Sequence, residues 1–223
     1  MTLPLTDEGI EFCDRKQRTL LDSLSAENHD TDPCDSYQPW EKTVWEEIDD
    51  QGWSFMGDGF GRVVFSVPDR FSTVETDIVV KLCRPILPAQ RKIHCGDEQT
   101  ATEYRLFERL KAGKFPQLDP NWFGTLRGTR GLEVDGTQYQ HLYSVMDRYT
   151  PILDEYSFGE AESIRNRLDE RPGAEYIDGA AENIGFSGSS PPAPDGDASR
   201  FVWLDYGSIS TRLFADYRNE ASS

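Results

Sequence analysis

The chain has 223 residues, 37% hydrophobic and 12% aromatic, which is enough for the core of one compact domain or of two closely packed lobes. Its 40 acidic residues against 23 basic ones give a formal net charge of −17, which argues against nucleic acid or an anionic membrane as a broad-surface partner. No apolar run is long enough to span a bilayer, and no secretory signal opens the chain, so we expect a cytoplasmic protein.

The charge balance also indicates that the protein works in a salt-rich cytosol. Only six of the basic residues are lysines, and an acidic, lysine-poor chain with an ordinary core is typical of a halophile's cytosolic protein; an acidic mesophilic protein is the alternative. At 1 M salt the screening length is only about 3 Å, so an anionic ligand would not be repelled there. The 4 cysteines form no Cys-x-x-Cys pair, which favours reduced thiols over a zinc site.

The N-terminal part is predicted to be helical and separate from the main fold. Apolar residues recur at helical spacing over residues 6–25, with Thr6 as the N-cap. A polar linker follows over 27–38 and a short acidic helix over 40–49. Residues 1–38 are therefore expected to form an extension, whose helix offers a surface for a protein partner.

Strands follow. Residues 53–56 and 62–67 flank a glycine-rich stretch and predict a hairpin, and 77–83 predict a third strand. A helix is expected over 97–111, capped by its first residue, Asp97, and ended by Gly113.

Two further strands are predicted near 124–126 and 139–146, joined through three glycines: Gly128, Gly131 and Gly136. A helix is expected over 160–168, and short strands over 184–186 and 201–204. Between those strands, residues 187–199 are rich in Ser, Pro, Gly and Asp and predict a flexible loop.

Two charged residues fall in apolar surroundings. Lys81 lies within a β-branched apolar strand, where a lysine is costly unless it is paired or lies on an edge strand and reaches solvent. Glu103 shares a helix face with Leu106, Phe107 and Leu110, or lies at the border of that face. Because a carboxylate there needs a cation, Lys81 is its natural partner.

Polar residues also occur at fixed places in the C-terminal third. Asp178 and Asn183 are five residues apart in a loop of small residues, although an Asp-Gly turn would explain Asp178 equally well. Asp205 follows an apolar strand and precedes Gly207, where it could simply cap a turn.

The order of these features is glycine-rich hairpin, strand lysine, helix glutamate, Asp-x-x-x-x-Asn and Asp-aromatic-Gly. Over roughly residues 53–207 this order resembles the protein-kinase-like superfamily, including phosphotransferases related to aminoglycoside kinases, and looks closest to short kinase-like proteins of prokaryotic viruses. A member from a halophilic archaeon or its virus is expected. The resemblance implies an α+β, bilobal fold with an antiparallel-sheet N-lobe over 39–148 and a strongly reduced C-lobe over 149–223.

The resemblance also implies roles in binding ATP and Mg²⁺. Lys81, braced by Glu103, would hold the α- and β-phosphates, and Asp178 would accept the proton of an attacking hydroxyl. Asn183 and Asp205 would hold the metal. Backbone N–H groups of the glycine-rich loop would approach the phosphates, at Gly57, Gly59 and Gly61. Val63 would cover the adenine ring, and Met146 would line the back of its pocket. The backbone of Asp147 and Tyr149 would bind the edge of the adenine.

The chain departs from the family in three respects. Its glycine loop is one residue short, Tyr176 stands where kinases usually have a histidine, and no Ala-Pro-Glu segment follows Gly207. An ATP- and Mg²⁺-dependent phosphotransferase of unknown acceptor is the first interpretation. A pseudokinase-like nucleotide-binding regulatory or interaction module is the second, and an acidic α+β protein that binds no nucleotide is the third.

Overall fold

A computed structural model describes residues 2–26, 48, 51–58, 62–83, 96–134, 136–177, 179–188 and 190–204. The chain divides into two compact units, Met1–Tyr104 with Leu126–Arg148, and Arg105–Thr125 with Tyr149–Ser223. Helices and mostly antiparallel strands build them, so the predicted α+β class is confirmed. No helix among the described residues is both long and apolar enough to cross a bilayer.

The first unit contains a five-stranded antiparallel sheet with the strand order β1-β2-β3-β5-β4. Its strands are β1 (Ser54–Asp58), β2 (Arg62–Ser66), β3 (Ile78–Cys83), β4 (Leu126–Val134) and β5 (Thr137–Asp147). β1 and β2 pair as the predicted hairpin, and β3 is central, between β2 and β5.

The N-terminal helix α1 (Asp7–Ala26) is packed on this sheet. The Thr6 hydroxyl accepts a hydrogen bond from the Gly9 N–H at 3.1 Å, which confirms the predicted cap. The apolar side of α1 and one face of the sheet form a single core: Phe12, Cys13 and Leu20 with Val63, Phe65, Val80, Leu82 and Val145. A partner at this helix would therefore meet its polar side. The predicted linker lies outside the described residues, as does the acidic helix apart from Ile48.

The buried carboxylate of Asp14 also ties α1 to the sheet. The Asp14 carboxylate accepts hydrogen bonds from the Arg130 guanidinium, the shortest at 2.8 Å, and from the Tyr143 hydroxyl at 2.7 Å. Burial is the main cause that raises the pKa of Tyr143, so the phenol stays a donor. Burial likewise raises the pKa of the Cys13 thiol.

The β4–β5 connection differs from the prediction. Gly136, with φ +76°, lies in the hairpin turn, but Gly128 and Gly131 lie inside β4, next to irregularities in the register. A Cβ at Gly131 would collide with the Tyr139 carbonyl oxygen, so this glycine permits close approach of two strands. The glycines therefore mark bulges and not a long loop.

The helix α2 (Gly96–Lys111) confirms the prediction for 97–111. Gly113 ends it with φ +66°, and its N–H donates to the Leu110 carbonyl at 2.9 Å. The helix begins at Gly96, one residue before the predicted start at Asp97.

The described part of the second unit contains two complete α-helices and a three-stranded antiparallel sheet. These elements are α3 (Ile152–Glu155), α4 (Phe158–Asp169), β6 (Thr150–Pro151), β7 (Ile184–Phe186) and β8 (Phe201–Trp203). The strand order is β6-β7-β8, and the predicted strands near 184 and 201 are confirmed. Tyr156 meets the rings of Phe186 and Phe201 edge-on, with centroids 6.0 and 6.2 Å away.

The segment predicted as a flexible loop is bonded to the rest of this unit. Arg167 donates to the carbonyls of Pro194 and Gly196, and Arg171 donates to that of Ala198. The Tyr156 hydroxyl donates to the Pro192 carbonyl. Composition alone therefore misled here, because arginines distant in sequence satisfy the loop's carbonyl groups.

We expect the N-terminal cap of α4 to make the stability of the fold depend on pH. Ser157 and Glu160 bond reciprocally, and the hydrogen bond from the Ser157 hydroxyl, at 2.6 Å, is the first cause that lowers the pKa of Glu160. A lowered pKa in the folded chain stabilises above the unfolded pKa, and this stabilisation is lost as the pH falls through the folded value. Ser157→Ala should raise the pKa of Glu160 towards its ordinary value in an NMR titration; an unchanged pKa would contradict the reciprocal cap.

Candidate functional site

Lys81 lies on the central strand of the first unit's sheet. All six residues of β3 are buried, and the Lys81 side chain is 9% exposed. Since β3 pairs with β2 on one side and β5 on the other, the alternative of an edge-strand lysine that reaches solvent is wrong. A buried ammonium must be paired.

Its partner is Glu103, on α2. The carboxylate is 1% exposed, and its Oε1 accepts a hydrogen bond from Lys81 Nζ at 3.0 Å. The helix face that also carries Leu106 points inward, so the carboxylate cannot reach water. The ion pair predicted from the apolar positions of both residues is confirmed.

Arg62 is a third member that the sequence reasoning missed. Its guanidinium, 6% exposed in the side chain, donates from Nη1 to the other oxygen of Glu103, Oε2. Val64 is directly opposite Lys81 across β2 and β3, and Arg62 lies two residues before Val64, on the same face of the sheet. Arg62, Lys81 and Glu103 form what we call the Glu103 cluster. Only the β2–β3 register could have revealed it.

The same face continues onto β5. Met146 is opposite Val79 and Ser144 is opposite Lys81, so both lie on the face of the Glu103 cluster. Met146 is buried, in keeping with a wall position. The Ser144 hydroxyl is completely buried and has no hydrogen-bond partner within the described part of the chain. Sequence reasoning gave no role to this serine.

Val63 is on the opposite face. It pairs with Leu82 and packs in the core beneath α1, whereas its neighbour Val64 is opposite Lys81. The structure therefore contradicts the adenine-covering role of Val63. The physical reason is the glycine loop, which is one residue short: a one-residue shift in a strand exchanges its two faces. Val64 occupies the face on which a ligand beside Lys81 would lie.

The other N-terminal positions are only partly described. Gly57 lies inside β1 at an irregularity in the register and is opposite Val64. Gly59 and Gly61 lie outside the described residues. The phosphate-binding role of the three glycines therefore stays a prediction.

The end of β5 is held by both backbone and side-chain hydrogen bonds. The Arg148 N–H donates to the Asp77 carbonyl at 2.9 Å, so Asp147 and Ile78 form the next, non-hydrogen-bonded pair. The N–H and C=O of Asp147 consequently point away from β3. The Asp147 carboxylate accepts two hydrogen bonds from Arg127, at 2.6 and 2.9 Å, which fix the strand end.

Tyr149 belongs to the second unit, where its hydroxyl oxygen accepts a hydrogen bond from the Thr125 N–H at 3.1 Å. This hydrogen bond anchors the Tyr149 side chain. The predicted contact between the Tyr149 backbone and adenine stays a prediction.

Asn183 lies at the start of β7, beside the end of β8. Its carbonyl accepts a hydrogen bond from the Leu204 N–H at 2.7 Å, and Leu204 directly precedes Asp205 in the sequence. Asp205 and Asp178 themselves lie outside the described residues. Within the described ranges, no three His, Cys, Asp or Glu side chains form a group that could hold a metal ion. The assignment of Mg²⁺ to Asn183 and Asp205 stays a prediction.

The residue after Asp178 is tightly packed. A Cβ at Gly179 would collide with the ring of Trp203, which is completely buried on β8. The loop that leads from Asp178 to Asn183 therefore passes directly against β8, and only glycine fits there. Packing against Trp203 therefore explains why a glycine follows Asp178.

Comparison with known protein families and curated proteins gave no match for this chain. Its function must be inferred from its own residues and contacts.

Proposed function

We propose that this chain is an ATP- and Mg²⁺-dependent phosphotransferase with a protein-kinase-like bilobal fold, an antiparallel-sheet N-lobe and a reduced C-lobe. The observation that carries the proposal is the buried ion pair of Lys81 and Glu103. The lysine is on the third strand and the glutamate on the helix that follows it, as in kinases, where this pair must be in place for activity.

The chemistry of the pair supports phosphate binding. An ammonium group has three donors, and a carboxylate that holds one of them fixes the direction of the others. Glu103 is itself held from its second oxygen by Arg62, so it cannot swing away from Lys81 without breaking a second buried contact. Such a fixed cation is suited to the oxygens of a polyphosphate, since catalysis of phosphoryl transfer consists mainly of positioning and charge neutralisation.

Two further features agree with the proposal. Met146 is buried on the same sheet face as the Glu103 cluster, where it would form the back wall of an adenine pocket. The Asn183 carbonyl accepts a hydrogen bond from the Leu204 N–H, so the proposed ligand Asn183 lies beside the end of β8. Asp178 would accept the proton of the acceptor hydroxyl. We place the protein in a salt-rich cytoplasm, where screening reduces the repulsion between ATP and a chain of net charge −17.

A second candidate is a catalytically weak, pseudokinase-like nucleotide-binding module. The short glycine loop and Tyr176, which stands where kinases usually have a histidine, favour it. The polar side of α1 would then be the surface for a protein partner.

Turnover separates the two candidates. The full chain in high KCl, given labelled ATP and Mg²⁺, should hydrolyse or transfer the label, and Asp178→Ala should slow this about 10²- to 10⁴-fold, the range for loss of a general base, while MgATP still binds. Equal turnover in the wild type and in Asp178→Ala would contradict the catalytic assignment. Binding without turnover in the wild type would select the pseudokinase-like module.

A further inference from the structure

The ladder between β3 and β5 ends just beyond Lys81. The two strands are in register from Ile78 and Asp147 to Lys81 and Ser144, where the pairing stops. Hydrogen-bonded pairs alternate along an antiparallel ladder, so the next bonded position on β3 is Cys83. Its N–H and C=O are buried, and they need a partner beyond the last residue pair that β3 makes with β5.

Gln17 of α1 supplies that partner. Its Nε2 donates to the Cys83 carbonyl at 2.9 Å, and the Cys83 N–H donates to its Oε1 at 2.7 Å. The Gln17 side chain is completely buried. One amide group thus makes both hydrogen bonds that a residue of a neighbouring strand would make, and it extends the ladder by one pair.

We propose that Gln17 is a positioning residue for the nucleotide site. Through Gln17, α1 would hold the strand that carries Lys81 in place. This inference rests on the proposed function. Gln17 fixes the end of β3 two residues from Lys81, and therefore the strand that aims Lys81 at Glu103 and at a phosphate. A displacement of about 1 Å at a positioning group can cost about 10²-fold in rate.

The docking of α1 does not depend on this contact. Phe12 and Leu20 pack in the core, and Asp14 is bonded to Arg130 and Tyr143. A change at Gln17 should therefore leave the helix in place and release only the end of β3.

Gln17→Leu removes the donor and the acceptor but keeps most of the volume. Leu20→Ala is the matched control, since it weakens α1 packing and leaves the Gln17 amide in place. We expect Gln17→Leu to weaken MgATP binding at least about tenfold, which corresponds to the loss of a buried bonded pair, and to speed hydrogen exchange at the Cys83 amide. Leu20→Ala should lower the melting temperature and keep the Kd within about twofold of the wild type. Wild-type binding and exchange in Gln17→Leu would overturn the proposal.

The exchange measurement keeps the two proposals distinguishable. If the wild type binds no MgATP, the proposed function fails, and with it the role of Gln17 at a nucleotide site, while slow exchange at Cys83 still reports the contact. If the wild type binds and Gln17→Leu binds equally well, only the inference fails.

Gln17→Glu tests the same contact within one variant. A protonated carboxyl can accept from the Cys83 N–H and donate to its carbonyl, whereas an ionised one has no donor and repels that carbonyl. The Kd of Gln17→Glu relative to the wild type should therefore rise from near unity at about pH 5 to about tenfold at pH 9, a range that includes the raised pKa of a buried carboxyl. A ratio that does not change with pH would overturn the proposal.

Discussion

Replacing Glu103 by glutamine should lower the free energy of unfolding by about 3–5 kcal/mol. The glutamine has the same shape but no charge, so Lys81 and Arg62 lose the carboxylate that each of them contacts inside the first unit. Leaving buried cations without this counter-charge costs more than the hydrogen bonds alone. Urea unfolding of the variant and the wild type, at one pH and one salt concentration, measures the difference.

Glu108→Gln is the matched control, because Glu108 is an exposed glutamate on the same helix. Its effect should stay within about 0.5 kcal/mol, as for most surface substitutions. The Glu103 effect should also persist in high KCl, since salt screens buried pairs much less than exposed ones. Equal stability of Glu103→Gln and Glu108→Gln would show that the cluster is not buried as described.

Lys81→Met should weaken both nucleotide binding and phosphoryl transfer. The methionine fills similar space but carries no charge, and Glu103 keeps Arg62 as its counter-ion, so this variant should fold better than Glu103→Gln. We expect MgATP to bind at least about tenfold more weakly, and any phosphoryl transfer to slow by about 10²- to 10³-fold, as when one preorganised electrostatic contact is removed.

The control for this variant is Lys114→Met, which removes a lysine that is exposed. It changes the net charge by the same amount and should leave the Kd unchanged within about twofold. If both methionine variants bind MgATP as the wild type does, Lys81 has no role in nucleotide binding, and the ion pair is purely structural.

The sequence predicted local features well and cross-strand geometry poorly. Apolar periodicity located α1, α2 and the strands β1, β2, β3 and β5, and the apolar settings of Lys81 and Glu103 predicted their pairing. It could not predict Arg62, whose place beside Glu103 depends on the β2–β3 register. The misplacement of Val63 has the same origin, because the face of a strand residue depends on the length of the preceding loop.

Contacts between residues far apart in sequence were also missed. Gln17 and Cys83 are 66 residues apart, and nothing in the pattern of α1 shows that one of its polar side chains completes a sheet. Gly131 seemed part of a loop because its close contact with the Tyr139 carbonyl exists only after β4 and β5 have paired. Tertiary contacts of this kind fix the site but leave no periodic trace in the sequence.

The most direct test of the proposed function is the melting temperature of the full chain with and without MgATP, in low and in high KCl. A ligand at a hundred times its Kd stabilises by about 2.7 kcal/mol, so a clear rise is expected when ATP and Mg²⁺ are both present. Asp205→Ala, which removes a proposed metal ligand, should reduce the part of the rise that depends on Mg²⁺. If neither ATP nor ADP raises the melting temperature of the wild type at any salt concentration, the chain is not a nucleotide-binding protein of either proposed kind.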